Sequence, residues 1–160
     1  VRFPAKECTD DAHHGPGPCV VQDNLAFYPA GQLFYKPSQV ADAWVEIPFQ
    51  VQQREPRRLL LAVTRADDYG IYQAYLNGVQ IGPPLDLYAR DVSEWECHLL
   101  DFWPEPGDYT LRLECVGKNP QSQGHYLGLE AVRLRERRPR VKDWARDQDN
   151  DWRKNPLLYD

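Results

Sequence analysis

Alternation is the feature that most restricts this chain. In "AWVEIPFQV", Ala43, Val45, Ile47, Phe49 and Val51 alternate with Trp44, Glu46, Pro48 and Gln50. Successive side chains of a strand point to opposite faces, so this stretch buries one face and wets the other. Pro48 lacks a backbone donor and places the strand at a sheet edge or a bulge. "RRLLLAVTR", residues 57 to 65, is a nearly continuous apolar run of strand length, as expected of a central strand covered on both faces. In "GIYQAYLNGVQIG", residues 70 to 82, Asn77-Gly78 marks a tight hairpin, because both residues tolerate positive φ. No long segment keeps an amphipathic helical period.

Further along, "WECHLLDF" and "DYTLRLECV" flank the turn "WPEPG" and read as a second hairpin, with Cys97 and Cys115 nearly opposite each other. "YLGLEAVRLR" closes the series, with Leu127, Leu129, Val132 and Leu134 inward and Glu130, Arg133 and Arg135 outward. The sum is an all-β, antiparallel jelly-roll sandwich of about eight strands. It spans residues 19 to 135, between an irregular N-terminal segment, 1 to 18, and a charged tail, 136 to 160. The tail retains Trp144 and Trp152, which are costly to leave in water, so it is expected to dock on the sandwich or on a neighbour.

A length of 160 residues suits one domain with a real core. No apolar run approaches a membrane span, so no membrane partner is expected. A net charge of −5 argues against a general nucleic-acid binder. From Arg133 to Lys142 six basic residues face one acidic residue, after which "DQDND" reverses the sign. That pattern fits an internally salt-bridged tail or an anionic partner. Methionine is absent and residue 1 is valine, so a processed N-terminus is expected. The four cysteines, Cys8, Cys19, Cys97 and Cys115, suggest an oxidising, secreted or extracellular setting. Four cysteines allow three pairings, of which Cys8–Cys19 and Cys97–Cys115 are favoured. The first would close the loop "CTDDAHHGPGPC" and the second would cross the expected hairpin.

The motifs Leu76-Asn77-Gly78, Asp86-Leu87-Tyr88, Gly107-Asp108-Tyr109-Thr110-Leu111, Gly117-Lys118-Asn119-Pro120 and Tyr126-Leu127-Gly128-Leu129-Glu130 carry a likeness. Over about residues 70 to 135 the chain resembles the C-terminal jelly-roll domain of family-172 glycoside hydrolases. More loosely it is similar to galactose-binding-like and malectin-like modules. The resemblance implies an accessory, non-catalytic domain with a glycan as partner, and it is compatible with a structural calcium that no motif assigns. The hydrolases' catalytic domain is absent, so their activity does not carry over.

A sugar site needs a flat aromatic for the C–H face of the ring and planar polar groups for its hydroxyls. Two loops hold those types: Asp67, Asp68 and Tyr69 in one, and Lys118, Asn119, Gln121, Gln123, His125 and Tyr126 in the other. Loops at the same end of a sandwich can converge, and if these two do they make a sugar cleft. Asp67, Asp68, Tyr69, Asn119, Gln121, His125 and Tyr126 are therefore the candidate ligand-binding residues. The competing reading has Asn119-Pro120 and Gly124 shaping a turn while Tyr69 and Tyr126 cap the core. Gln73, Tyr75, Arg112 and Glu114 form a second outward patch that also reads as a cross-strand ion pair. Asp10, Asp11, His13 and His14 cluster without zinc spacing, and "DQDND" lacks the later ligands of a calcium loop, so metal ligands and cofactors stay unassigned. No nucleophile elbow is present, and the acid pair Asp67/Glu130 alone does not make a glycosidase. The expected function is a non-catalytic carbohydrate-binding module, either free-standing or attached to a catalytic domain. The alternative is a homo-oligomer, a self-assembling structural subunit whose N-terminal segment and Trp-containing tail serve as docking arms.

Overall fold

The computed structural model describes residues 1–137 and 152–153. Among these described residues ten strands form two antiparallel sheets. In chain order they are β1 (Arg2–Pro4), β2 (Cys19–Gln22), β3 (Gln32–Tyr35), β4 (Trp44–Val51), β5 (Arg57–Arg65), β6 (Ile71–Leu76), β7 (Val79–Asp86), β8 (Ser93–Phe102), β9 (Gly107–Gly117) and β10 (Leu127–Glu136). One sheet runs β2-β3-β10-β5-β8, with β1 also pairing with β10; the other runs β4-β9-β6-β7. This is the expected jelly-roll sandwich. Among the described residues no helix is long and apolar enough to cross a membrane.

The alternating residues meet between the sheets. Leu33, Leu59, Leu61, Val63, Leu129 and Val132 come from the first sheet, and Val45, Ile47, Tyr72, Leu76, Leu111 and Leu113 from the second. All are essentially inaccessible to water. β5 is interior and buried over Leu59 to Thr64, as its continuous apolar run requires. β4 lies at a sheet edge, where Pro48 leaves no ladder bond missing on its open side. The β6–β7 turn sets Asn77 at φ 48° and Gly78 at φ 82°, the left-handed pair that the hairpin requires.

The expected β8–β9 hairpin does not form. β8 pairs with β5 in one sheet and β9 with β4 and β6 in the other, so the "WPEPG" segment crosses between sheets. Cys97 and Cys115 thus belong to opposite sheets rather than neighbouring strands. The structure carries all four cysteines as free thiols, Cys8 and Cys19 included. Burial raises the Cys97 thiol to about 12, with Arg65 opposing and Glu96 adding.

The two ends also differ in part from expectation. Residues 1 to 18 are irregular apart from β1, which pairs Arg2, Phe3 and Pro4 with Arg133, Val132 and Ala131, and one tight turn at Ala5–Glu7. Trp152 is buried against Phe102, edge to face at 5.8 Å, so this part of the tail docks on its own sandwich. Trp144 and "DQDND" lie outside the described residues. Where the basic run is described it is salt-bridged internally. Arg133 reaches Glu96 at 2.6 Å and Glu130 at 3.3 Å, Arg135 reaches Glu96 at 2.8 Å, and Arg137 reaches Asp101 at 3.1 Å.

Two measurements check this packing. Leu61→Ala removes a side chain with no exposed surface, and urea unfolding is expected to show a loss of about 2–5 kcal/mol. Thiol titration of the denatured, unreduced protein is expected to count four reactive thiols; two or none would show that a bridge has formed.

Candidate functional site

The chain ends of β3, β5 and β7 and the start of β10 lie at one pole of the sandwich. Antiparallel pairing sets Tyr35 beside Leu127 and Thr64 beside Gly128. The loops at 66–70 and 117–126 meet there. Gly70 N–H donates to the Tyr126 carbonyl at 3.1 Å, Tyr126 N–H to Asp68 at 3.1 Å, and Gln123 N–H to Asp67 at 2.8 Å. Ser122 fastens the junction: its buried hydroxyl lies 2.7 Å from the Tyr69 carbonyl and 3.2 Å from that of Asp67. Such backbone pairing gives two irregular segments the rigidity of a short ladder.

The individual candidates then separate. Asp68 and Tyr126 line a groove of about 510 Å³. Tyr69 is buried, 3% exposed, and its ring packs edge-on against Phe34 at 6.1 Å, so it supports the groove from below and offers no platform. Asn119 is committed to the loop, donating to Asp86 at 2.8 Å and accepting from the Gln121 N–H at 3.0 Å. Gln121 and Asp67 are exposed beside the groove without lining it. His125 also lies outside it; its carbonyl accepts from the Tyr72 hydroxyl at 2.6 Å, and burial, then Lys118, lower its imidazole pKa.

The rest of the groove comes from the β2–β3 edge, which the sequence reading left out: Val20, Gln22, Asp23, Asn24, Phe34 and Lys36. Leu33 and Tyr35 face the core, so Gln32, Phe34 and Lys36 fall on the outer face of the sheet. Phe34 and Tyr126 are neighbours at 5.8 Å with planes 57° apart. The Lys36 ammonium stands 5.4 Å from the Phe34 ring centre and 5.6 Å from that of Tyr126. In "QLFYK" three apolar residues run together, and nothing in their spacing told that Phe34 would turn outward with Lys36 to face Tyr126.

Beneath the aromatics lies a layer of buried polar groups. Gln32 is fully buried on the outer face; it accepts from the Thr64 hydroxyl at 2.7 Å and donates to the Gln22 side-chain oxygen at 2.7 Å. Gly128 makes room for it. A Cβ there would lie 2.5 Å from the Tyr69 hydroxyl and 2.7 Å from the Gln32 amide nitrogen.

The other candidates resolve into structural contacts. Gln73 is buried and donates to the Ile81 and Gly82 carbonyls at 3.1 and 3.0 Å. Arg112 bonds Glu46 and Glu114, each at 2.8 Å, and stacks over Trp44 at 4.4 Å. Glu130 is buried and bonded by Arg2 and Arg133, which leaves it no role as half of an acid pair with Asp67. Among the described residues no group of three or more His, Cys, Asp or Glu is placed to hold a metal ion.

No family model matches the sequence, and no curated protein matches it. Solved structures do. A xanthan lyase from Paenibacillus superposes with a TM-score of 0.64 at 26% identity, covering 77% of this chain and 12% of the lyase. The CBM36-1 domain of a multidomain xylanase from the hindgut metagenome of Trinervitermes trinervoides superposes with a TM-score of 0.54 at 10% identity, covering 87% of this chain and 98% of that domain. CBM35 from Paenibacillus barcinonensis gives 0.52 at 12%, covering 86% and 99%. The fold is that of these carbohydrate-binding modules, matched almost end to end, whereas the chain spans about an eighth of the lyase.

The groove's electrostatics give a stability test. Desolvation, followed by the charge of Asp67, raises the Asp68 pKa against the opposing pull of its own backbone N–H and Lys36. A raised carboxyl pKa means the folded chain holds this proton longer than the unfolded chain. The Asp68 contribution to stability therefore declines as pH rises from about 3.9 through the raised folded value. Asp68→Asn is expected to match wild type below that window and to melt higher above it, read by thermal unfolding across pH.

Proposed function

We propose that this chain is a non-catalytic carbohydrate-binding module that seats a glycan in the groove between the β2–β3 edge and the 66–70 and 117–126 loops. The observation that carries the reading is the pair Phe34 and Tyr126, half-buried and adjacent, set in a groove edged by Lys36, Asp68, Asn24 and Gln22. An aromatic face meets the C–H face of a sugar ring, while amide, ammonium and carboxylate groups meet its hydroxyls. The β2–β3 edge of the groove is fixed by its ladder and the two loops by the Ser122 junction, so little order has to be created on binding. The fold shared with carbohydrate-binding modules supports the same reading. The chain would act outside the cell, where polysaccharide is met, and as one module of a longer polypeptide, in keeping with its small share of the lyase. Kinship with the accessory domains of family-172 glycoside hydrolases belongs to this proposal and rests on the motifs between residues 76 and 130.

A glycan array, followed by gel retardation on xylan, β-1,4-mannan and xanthan, tests it. Wild type is expected to bind at least one glycan, and Tyr126→Ala to weaken that binding about tenfold or more while the far-ultraviolet spectrum stays unchanged. A folded wild type that binds no glycan contradicts the reading.

A further inference from the structure

On the proposed sugar-binding reading, the groove has a donor-bearing wall whose polarity is set from inside the protein. We infer that Gln22 is a specificity-determining residue, presenting only N–H donors to the ligand, and that Thr64 and Gln32 hold it in that orientation.

The hydrogen bonds run outward from Thr64 to the groove. The Thr64 hydroxyl is buried, 1% exposed, and donates to Gln32 Oε1 at 2.7 Å. In this arrangement Gln32 turns its Oε1 to Thr64 and takes the hydroxyl proton. Gln32 Nε2 is thereby turned toward Gln22 and donates to its Oε1 at 2.7 Å. The same Gln32 amide lies beside the Tyr69 hydroxyl, and the missing side chain at Gly128 lets both lie flat against the sheet. Reversing the Gln32 amide would require the Thr64 hydroxyl to accept and the Gln22 amide to turn as well, so the three side chains hold their polarity together.

Gln22 is thus left with one end committed and one end free. Its oxygen takes the Gln32 proton, whereas its two N–H donors bond no other described residue. Gln22 lines the groove and is half-buried, so those donors are available to an occupant. Lys36, two strand positions beyond Phe34 on the same face, also carries only donors. Acceptors, the carboxylates of Asp68 and Asp23, come from other parts of the rim. The ligand atom seated against Gln22 is therefore an acceptor oxygen of the glycan, whether of a hydroxyl, a ring, a glycosidic bond or a carboxylate.

Two isosteric variants separate the parts. Gln22→Glu keeps an oxygen for the Gln32 proton and removes the two donors. Thr64→Val removes the hydroxyl outside the groove and keeps the shape, and Thr64→Ser restores the hydroxyl. Dissociation constants are measured by calorimetry on whichever of xylan, β-1,4-mannan or xanthan retards wild type; the first two present ring and glycosidic oxygens, and the third also presents carboxylates. Both Gln22→Glu and Thr64→Val are expected to weaken binding by about fivefold to tenfold, while Thr64→Ser stays within about twofold of wild type. Wild-type affinity in Gln22→Glu, or in Thr64→Val, overturns the inference while the sugar-binding reading stands. Failure of Thr64→Ser to recover affinity also overturns it, because packing rather than the hydroxyl would then matter. A wild type that binds none of the three removes the underlying reading and this inference together.

Discussion

The absence of a side chain at Gly128 is what the groove depends on. β10 runs between β3 and β5, so any Cβ at this position would project from the outer face into the space now held by the Tyr69 hydroxyl and the Gln32 amide. With that space open, a tyrosine from one loop and a glutamine from a neighbouring strand lie against the sheet. Phe34 rests edge-on against the tyrosine, Tyr126 beside Phe34, and Lys36 over both rings. The outer face thus acquires a small second packing layer at one pole. Its polar members are bonded to one another, as burial demands.

This arrangement relates fold to function through division of labour. The sandwich core uses the inward half of every strand and leaves the outward half for other work. Over most of the outer surface that half is taken by ion pairs such as Arg112 with Glu46 and Arg133 with Glu96. At the pole where β3 ends and β10 begins it is taken instead by the aromatics Phe34 and Tyr126, with Gln22, Lys36 and Asp68 around them. Partly buried rings next to polar groups suit a ligand that combines an apolar C–H face with many hydroxyls. The opposite pole differs: there the N-terminal strand, Arg137 and Trp152 close over the ends of β5, β8 and β10.

Much of the fold was legible because it rests on local pattern. Alternation placed Val45, Ile47 and Phe49 inward; the apolar run from Leu59 to Val63 marked an interior strand; Asn77-Gly78 marked a turn. The error at Cys97 and Cys115 has a physical reason. A short Pro- and Gly-containing segment serves equally for a hairpin and for a crossing between sheets, and alternation gives the same inward face in both cases. The two-sheet architecture allowed the 66–70 and 117–126 loops to share one end, and the backbone bonds between them show that they do. Which side chains would face the groove was not legible, because that depends on strand order. Tyr69 was buried by Phe34 and Gln32, residues more than thirty positions away, and Asn119 turned to Asp86. Phe34 belongs to, and Lys36 directly follows, a strand whose neighbours, β2 and β10, come from opposite ends of the chain.

The central claim is that the outer-face groove, not another part of the surface, receives the glycan. Backbone amide shift mapping by NMR, with an oligosaccharide chosen by the array added stepwise, addresses it most directly. The account predicts saturable shifts concentrated at Gln22, Asn24, Phe34, Lys36, Asp68 and Tyr126. Shifts centred instead on the opposite pole, around Val1, Gln50 and Arg57, would contradict it.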